Sequence, residues 1–150
     1  MARRYSVDGQ RAVASSAPQT LLGTTGTTAI RLCWYDILLG VSGSPADNAI
    51  LWYVQRSTAA GTSTAVTPQA LDPGDPAATA SAGKNHSADP TYTANAILFH
   101  LALNQRASHR WVAAPGGELK VPATANNGLG LYPVHASFTG NADATVHFEE

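Results

Sequence analysis

Five histidines, one cysteine and an aspartate set inside an apolar run are the side chains here best suited to chemistry. A metal centre needs ligands that converge. His86, His100, His109, His135 and His147 form neither an HxH nor an HExxH pattern. His100 falls on the second face of an apolar run, which suits a satisfied interior histidine or a contact residue. His135 and His147 lie in two runs that read as a hairpin, so they are candidate cross-strand neighbours without the further ligands a metal requires. Asp36 interrupts the run Ile30–Leu39, and if buried it needs a hydrogen-bonded or charged partner. Arg31 and Arg56 are the candidates, which makes a structural pair the reading rather than a catalytic acid. Asp72 and Asp75 stand among prolines and a glycine, where carboxylates serve turns and caps. Gly23–Thr28 lacks the lysine and helix of a phosphate loop. Gly40-Val41-Ser42-Gly43 misses the nucleophile-elbow spacing by one residue, and Ser44-Pro45 blocks the helix that must follow. Cys33, between Leu32 and Trp34, reads as a buried thiol, and a lone cysteine excludes an internal disulfide. The residues therefore supply no catalytic site, no cofactor and no metal, and the expectation is that the chain is not an enzyme.

The elements that would position these residues are strands. The chain has 150 residues, a length that fits a single domain with a real core. Nine Lys and Arg stand against ten Asp and Glu, so no basic surface is offered to nucleic acid. No apolar run reaches the ~20 residues of a membrane-spanning helix, and no basic amphipathic stretch suits a membrane surface. Met1-Ala2-Arg3-Arg4-Tyr5 is basic but is followed by no apolar signal core, which points to a chain made and kept in a cytoplasm. The segment from about 1 to 10 reads as a short, flexible, basic terminus. Only 13% of the residues are charged, less than an exposed monomer surface usually carries; either contact with partners buries part of that surface, or Thr, Ser and Asn make it polar.

Ile30–Leu39 is apolar on both alternating faces, as in a central strand covered on both sides. Ile50, Trp52 and Val54 share one face of a second strand, and the turn-rich 43–48 stretch would join the two as an antiparallel pair. Ala65–Leu71 reads as a short edge strand because Pro68 removes a ladder donor. Asp75 and Pro76 suit the start of a helical turn, one or two turns at most. Ser81–Thr91 reads as a polar loop, as do Gly23–Thr28 and Thr58–Thr64. Ala96–Leu103 is a strand with Ile97, Phe99, Leu101 and Leu103 on one face. Arg110–Ala113 and Glu118–Val121 flank Pro115-Gly116-Gly117 as a hairpin. Gly128–Ala136 and Ala144–Glu149 are the last runs, with Val146 and Phe148 facing in. About eight or nine short strands with turn chemistry between them predict an all-β single domain spanning residues 1–150, a β-sandwich or jelly roll. Tyr53 and Tyr132 sit opposite the apolar faces and are candidates for a partner surface.

Several of these segments carry a likeness. The basic opening and Thr/Ser/Gly-rich region, Gln69-Ala70-Leu71-Asp72-Pro73-Gly74-Asp75-Pro76-Ala77-Ala78, Trp111–Gly117, Gly128-Leu129-Gly130-Leu131 and the ending Val146–Glu150 resemble the small structural proteins of tailed bacteriophages, of the head decoration (cement) type. The 81–91 loop and the histidines of the final strands depart from that pattern. The resemblance implies a compact β-domain, assembled as a homotrimer on the outside of the phage head, bridging copies of the major capsid protein, without catalytic residues. It implies a virion location after assembly in the host cytoplasm. Candidate contact residues are Arg3, Arg4 and Tyr5, the turn residues Asp72, Pro73, Asp75 and Pro76, the loop residues Lys84, Asn85 and His86, and Tyr53 and Tyr132; Glu149 and Glu150 are placed to touch a neighbouring subunit. The rival expectation is a ligand- or carbohydrate-binding β-sandwich or fibre domain of the virion, which needs an open aromatic patch with polar groups beside it.

Overall fold

In the computed structural model, which describes residues 2–12, 20–134, 138 and 140–150, the chain is all β, with two antiparallel sheets face to face. The first sheet runs β3 (Cys33–Ser42), β12 (Asn141–Glu149), β1 (Arg4–Ala12) and β6 (Gln69–Ala70), with β9 (His109–Val112) and β10 (Leu119–Lys120) both laid along the free side of β3. The second runs β5 (Thr62–Val66), β7 (Ser81–Ala88), β2 (Leu22–Thr25), β11 (Gly128–Val134), β4 (Ala49–Ala59) and β8 (Thr91–Asn104).

Period-two alternation builds the core. Tyr5 and Val7 of β1, Trp34, Ile37 and Leu39 of β3, and Val146 and Phe148 of β12 point inward from the first sheet. Leu22 of β2, Ile50, Trp52 and Val54 of β4, and Leu129 and Leu131 of β11 answer them from the second. Thr24 is the polar exception in this layer, and its hydroxyl accepts the indole N–H of Trp34 at 2.8 Å. One irregularity decides where Asp36 goes. Facing β12, Phe148 pairs with Trp34 while His147 pairs with Asp36, so Tyr35 is an extra residue. That bulge restores alternation for Ile37 and Leu39 inward and turns Asp36 to the outer face beside His147.

Several expectations are corrected. The basic N-terminal segment is not flexible along its length: Arg4–Ala12 pairs with the whole of β12, and Tyr5 is fully buried. β3 and β4 do not form a hairpin, because the 43–48 stretch carries the chain from one sheet to the other. Ala65–Leu71 splits at Pro68 into β5 and β6, edge strands of different sheets. No helix forms among the described residues; Asp72–Asp75 is a turn closed by the Asp75 N–H on the Asp72 carbonyl at 2.9 Å. Ser81–Thr91 is not a loop but mostly β7, and Gly23–Thr25 belongs to β2. Thr58–Thr64 contributes to β4 and β5 around Gly61, whose φ of +72° suits glycine. β9 and β10 pair with β3 rather than with each other. β11 and β12 lie in different sheets, so His135 and His147 do not sit on a hairpin; His135 itself falls outside the described residues.

Candidate interaction surfaces

The first surface is the corner where β1 meets β6. Tyr5 and Ser6 pair with Ala70 and Gln69, and the Leu71 N–H continues the ladder onto the Arg4 carbonyl at 2.9 Å. The turn that follows is held by the Asp72 carboxylate, which accepts the Gly74 N–H at 2.8 Å. The Tyr5 hydroxyl emerges from the core to donate to the Pro76 carbonyl at 3.0 Å. Burial pushes the Tyr5 phenol up, and the nearby Glu150 carboxylate adds to that. Glu150 in turn accepts the N–H groups of Thr79 and Ala80, both at 2.9 Å, which pins the 76–80 stretch to the chain's end. Between these parts lies a groove of about 510 Å³ lined by Ala2, Arg4, Tyr35, Leu71, Asp72 and Asp75. Arg4 lies over the Tyr35 ring at 5.3 Å and within 3.7 Å of Glu149. Leu71 is 49% exposed, an apolar side chain beside charges of both signs.

The second surface is the outer face of the other sheet, where four rings stand in a row. His100 of β8 stacks on Tyr53 of β4 at 4.6 Å, Tyr53 on Tyr132 of β11 at 5.4 Å, and Tyr92 tilts against Tyr132 at 5.1 Å. The Tyr132 hydroxyl donates to the Gln55 side chain at 2.6 Å. The Tyr92 hydroxyl meets the Thr20 hydroxyl at 2.6 Å, and Thr20 donates to Asp89 at 2.8 Å. Burial pushes the Tyr92 phenol far up. Gly130 of β11 has a physical reason here: Tyr92 lies directly on it, and any side chain there would collide with the Tyr92 hydroxyl.

A third cluster lies on the outer face of the first sheet. Asp36, 2% exposed, takes two hydrogen bonds from the Arg110 guanidinium, at 3.0 and 2.7 Å, and a third from His147 Nδ1–H at 3.0 Å. The Arg110 bonds, helped by His147, hold the Asp36 carboxyl below its ordinary range although burial opposes this. Arg110 also borders an open groove of about 570 Å³ over the same face, with Asp8, Gln10, His109, Asp143 and Thr145. Among the described residues, no three His, Cys, Asp or Glu side chains are placed to hold one metal ion. The cluster is an ion pair whose members satisfy one another.

No protein-family model, curated protein or solved structure matches the chain.

Of the expected contact residues, Arg3, Arg4, Asp72, Pro73, Asp75 and Pro76 come together at the β1–β6 corner, as does Tyr5, whose ring is core and only whose hydroxyl takes part. Tyr53 and Tyr132 do share an outward face, stacked, with Tyr132 largely buried by its neighbours. Lys84, Asn85 and His86 do not form an exposed loop. Lys84 is half-buried within β7, where it pairs with Leu22 and Thr64. Asn85 takes a left-handed φ of +52°. His86 is buried, its Nδ1–H donating to the Thr20 carbonyl at 3.2 Å and its ring lying over Gly23. Burial pushes its imidazole pKa down, against the Thr20 hydrogen bond. Asp36 does have the charged partner its burial demands, but the partner is Arg110 rather than Arg31 or Arg56. Arg56 donates instead to the Lys120 carbonyl at 2.9 Å. Tyr35, Leu71, Tyr92 and Arg110 were not singled out as surface residues. The demand of Asp36 for a charge is the sequence signal for Arg110, and Gly130, on which Tyr92 lies, is the signal for Tyr92.

Proposed function

We propose that this chain is a virion structural protein of a tailed bacteriophage, a decoration or cement protein that binds the outside of the head as a homo-oligomer and stabilises the shell, with no catalytic role. The carrying observation is the β1–β6 corner, where an exposed Leu71 lies in a groove among Arg4, Tyr35, Asp72 and Asp75. Interfaces favour such an aromatic and aliphatic centre with charged groups at the rim. The likeness of the 69–78 segment to head decoration proteins falls on this same corner, and the shell's partner would be the major capsid protein. Contacts that are weak singly become strong when a lattice repeats them. The test is co-sedimentation with purified heads: the chain should bind expanded heads and not immature ones, and Leu71→Asp should abolish binding while leaving the fold intact. Equal sedimentation of the Leu71→Asp variant, or no binding of the unaltered chain, overturns the reading.

The row of rings on the other sheet favours a second reading, a carbohydrate-binding domain of the virion, since the exposed His100 ring ends the stack and the half-buried Tyr53 hydroxyl-bearing ring stands beside it. A glycan array decides between them: binding that Tyr53→Ala removes supports the sugar reading, and an array without hits removes it.

A further inference from the structure

The edges of the two sheets are not alike. β6 is two residues long, and one residue after it, past Leu71, the chain turns at Asp72 and Pro73. β9 and β10 are four and two residues long and carry Arg110 and Lys120. β5 is five residues long and is followed by Pro68. Short length, charge and proline are the ordinary means by which an edge is kept from pairing with a foreign strand. β8 uses none of these three, and its bulges, another such means, are confined to Thr91–Leu98. It is 14 residues long, and Thr91–Asn104 contains no Lys, Arg, Asp, Glu or Pro. It pairs with β4 on one side, and among the described residues no strand pairs with it on the other.

Three further observations fall on that open side. From Phe99 to Asn104 the pairing with β4 is regular, so the free row of backbone N–H and C=O groups runs without a bulge there; Leu98 and the further register shifts between Thr91 and Ile97 come before it. Phe99, Leu101 and Leu103 point toward the core yet stay only half-buried, and Trp111, edge-on to Phe99 at 6.0 Å, is half-buried with them. The flank of the sandwich is thus unsealed along β8, and Ile97 just before the regular stretch is 46% exposed. Finally, the row Tyr92–Tyr132–Tyr53–His100 ends at His100 on β8, with no further ring beyond it among the described residues.

We infer that β8 is a self-pairing edge: two copies of this chain join β8 to β8, antiparallel about a twofold axis, into one continuous sheet. An edge that meets its own copy needs no second complementary surface, because a twofold contact is self-complementary. The backbone pattern satisfies this for an antiparallel pair. So does the charge pattern, since two copies of Phe99–Asn104 meet without like charges. With the axis near Leu101, Phe99 of one copy lies opposite Leu103 of the other, and His100 opposite Ala102. Strands then lie about 4.8 Å apart, close enough for the half-buried apolar row of each copy to cover the other and for the two rows of rings to run on across the axis. The inference is independent of the shell-binding reading, and it replaces the threefold assembly implied by the decoration-protein resemblance with a twofold one.

The test uses the full chain. Native mass spectrometry and light scattering at high micromolar concentration should give the mass of two chains. The doubly substituted variant His100→Lys, Ala102→Lys changes two exposed positions and sets cations against cations across the axis, so it should weaken self-association by about tenfold or more. Its circular dichroism and melting should stay those of a folded β protein. If it fails to fold, Ala102→Lys alone takes its place. Hydrogen exchange supplies a direct reading: amides of Phe99–Asn104 should gain protection as concentration rises, and those of β5 and β6 should not. A mass of one chain, or of three with both lysine variants unaffected, overturns the inference and leaves head binding untouched. A monomer whose lysine variants lose binding to heads overturns it too, in favour of a strand supplied by the shell.

Discussion

On the outer face of the β3–β12–β1 sheet, one buried carboxylate, Asp36, is closed by Arg110 and His147. On the outer face of the β4–β11 sheet, the same kind of position is filled by neutral rings whose hydroxyls find Gln55 and Thr20. Both arrangements cover strands that would otherwise expose apolar side chains, yet they differ in what disturbs them. A buried charge depends on every partner, because removing one leaves an uncompensated ion. A row of rings loses only contact area and one hydrogen bond at a time. The first face is therefore fixed in composition, whereas the second can change a ring and persist.

The largest effect should come from the carboxylate. Asp36→Ala leaves Arg110 and His147 without their acceptor, and its stability should fall by about 2 kcal/mol in urea denaturation. The sign of the pH dependence follows from the direction of the shift. The folded carboxyl titrates below the ordinary value of about 3.9, so its contribution is present above about pH 4 and is lost as pH falls through the folded value. Asp36→Ala should flatten that acid limb; an unchanged limb would show that other carboxylates dominate it. The ring face should respond less. Tyr53→Ala removes the stacked contacts to both His100 and Tyr132, and the expected loss is about 1 kcal/mol without any change in the acid limb. A loss at Tyr53 equal to that at Asp36 would erase the contrast between the faces.

Much of this was legible from residue types. Ile50, Trp52 and Val54, and likewise Val146 and Phe148, announce their inward faces by alternation alone, and all five are buried as expected. The outward placement of Tyr53 and Tyr132 follows from the same rule. Asp36 announced that it needed a charge. Which charge was not legible, because the answer depends on the Tyr35 bulge and on β9 joining β3, and both are long-range pairings. β7 was hidden for another reason. Ser81–Ala88 is almost wholly polar and small, and its strand state comes from its neighbours β2 and β5 rather than from its own propensity. In the N-terminal segment, arginines at 3, 4 and 11 obscured the alternation of Tyr5, Val7 and Gly9, whose faces are all buried. Sheet membership is hidden in a different way: adjacent strands with a turn between them read as a hairpin whether or not the chain crosses to the other sheet, as it does between β3 and β4.

Cys33 gives the smallest effect and the finest probe of the first sheet. It is buried at the start of β3, between Lys120 of β10 and Glu149 of β12. Burial pushes its thiol up, with Glu149 adding to the effect, so little thiolate forms near neutral pH and a thiol-reactive disulfide should modify the native chain slowly. Its two neighbours are unequal. β12 pairs with β3 along its whole length, whereas β10 contributes only Leu119 and Lys120. Opening of β10 alone would uncover the sulfur, so the modification rate should depend weakly on low urea, as local openings do. A urea dependence as steep as that of global unfolding would mean that this two-residue strand is held as firmly as β12. The free side of β3 would then be sealed, and β8 would stand out still more as the edge left open.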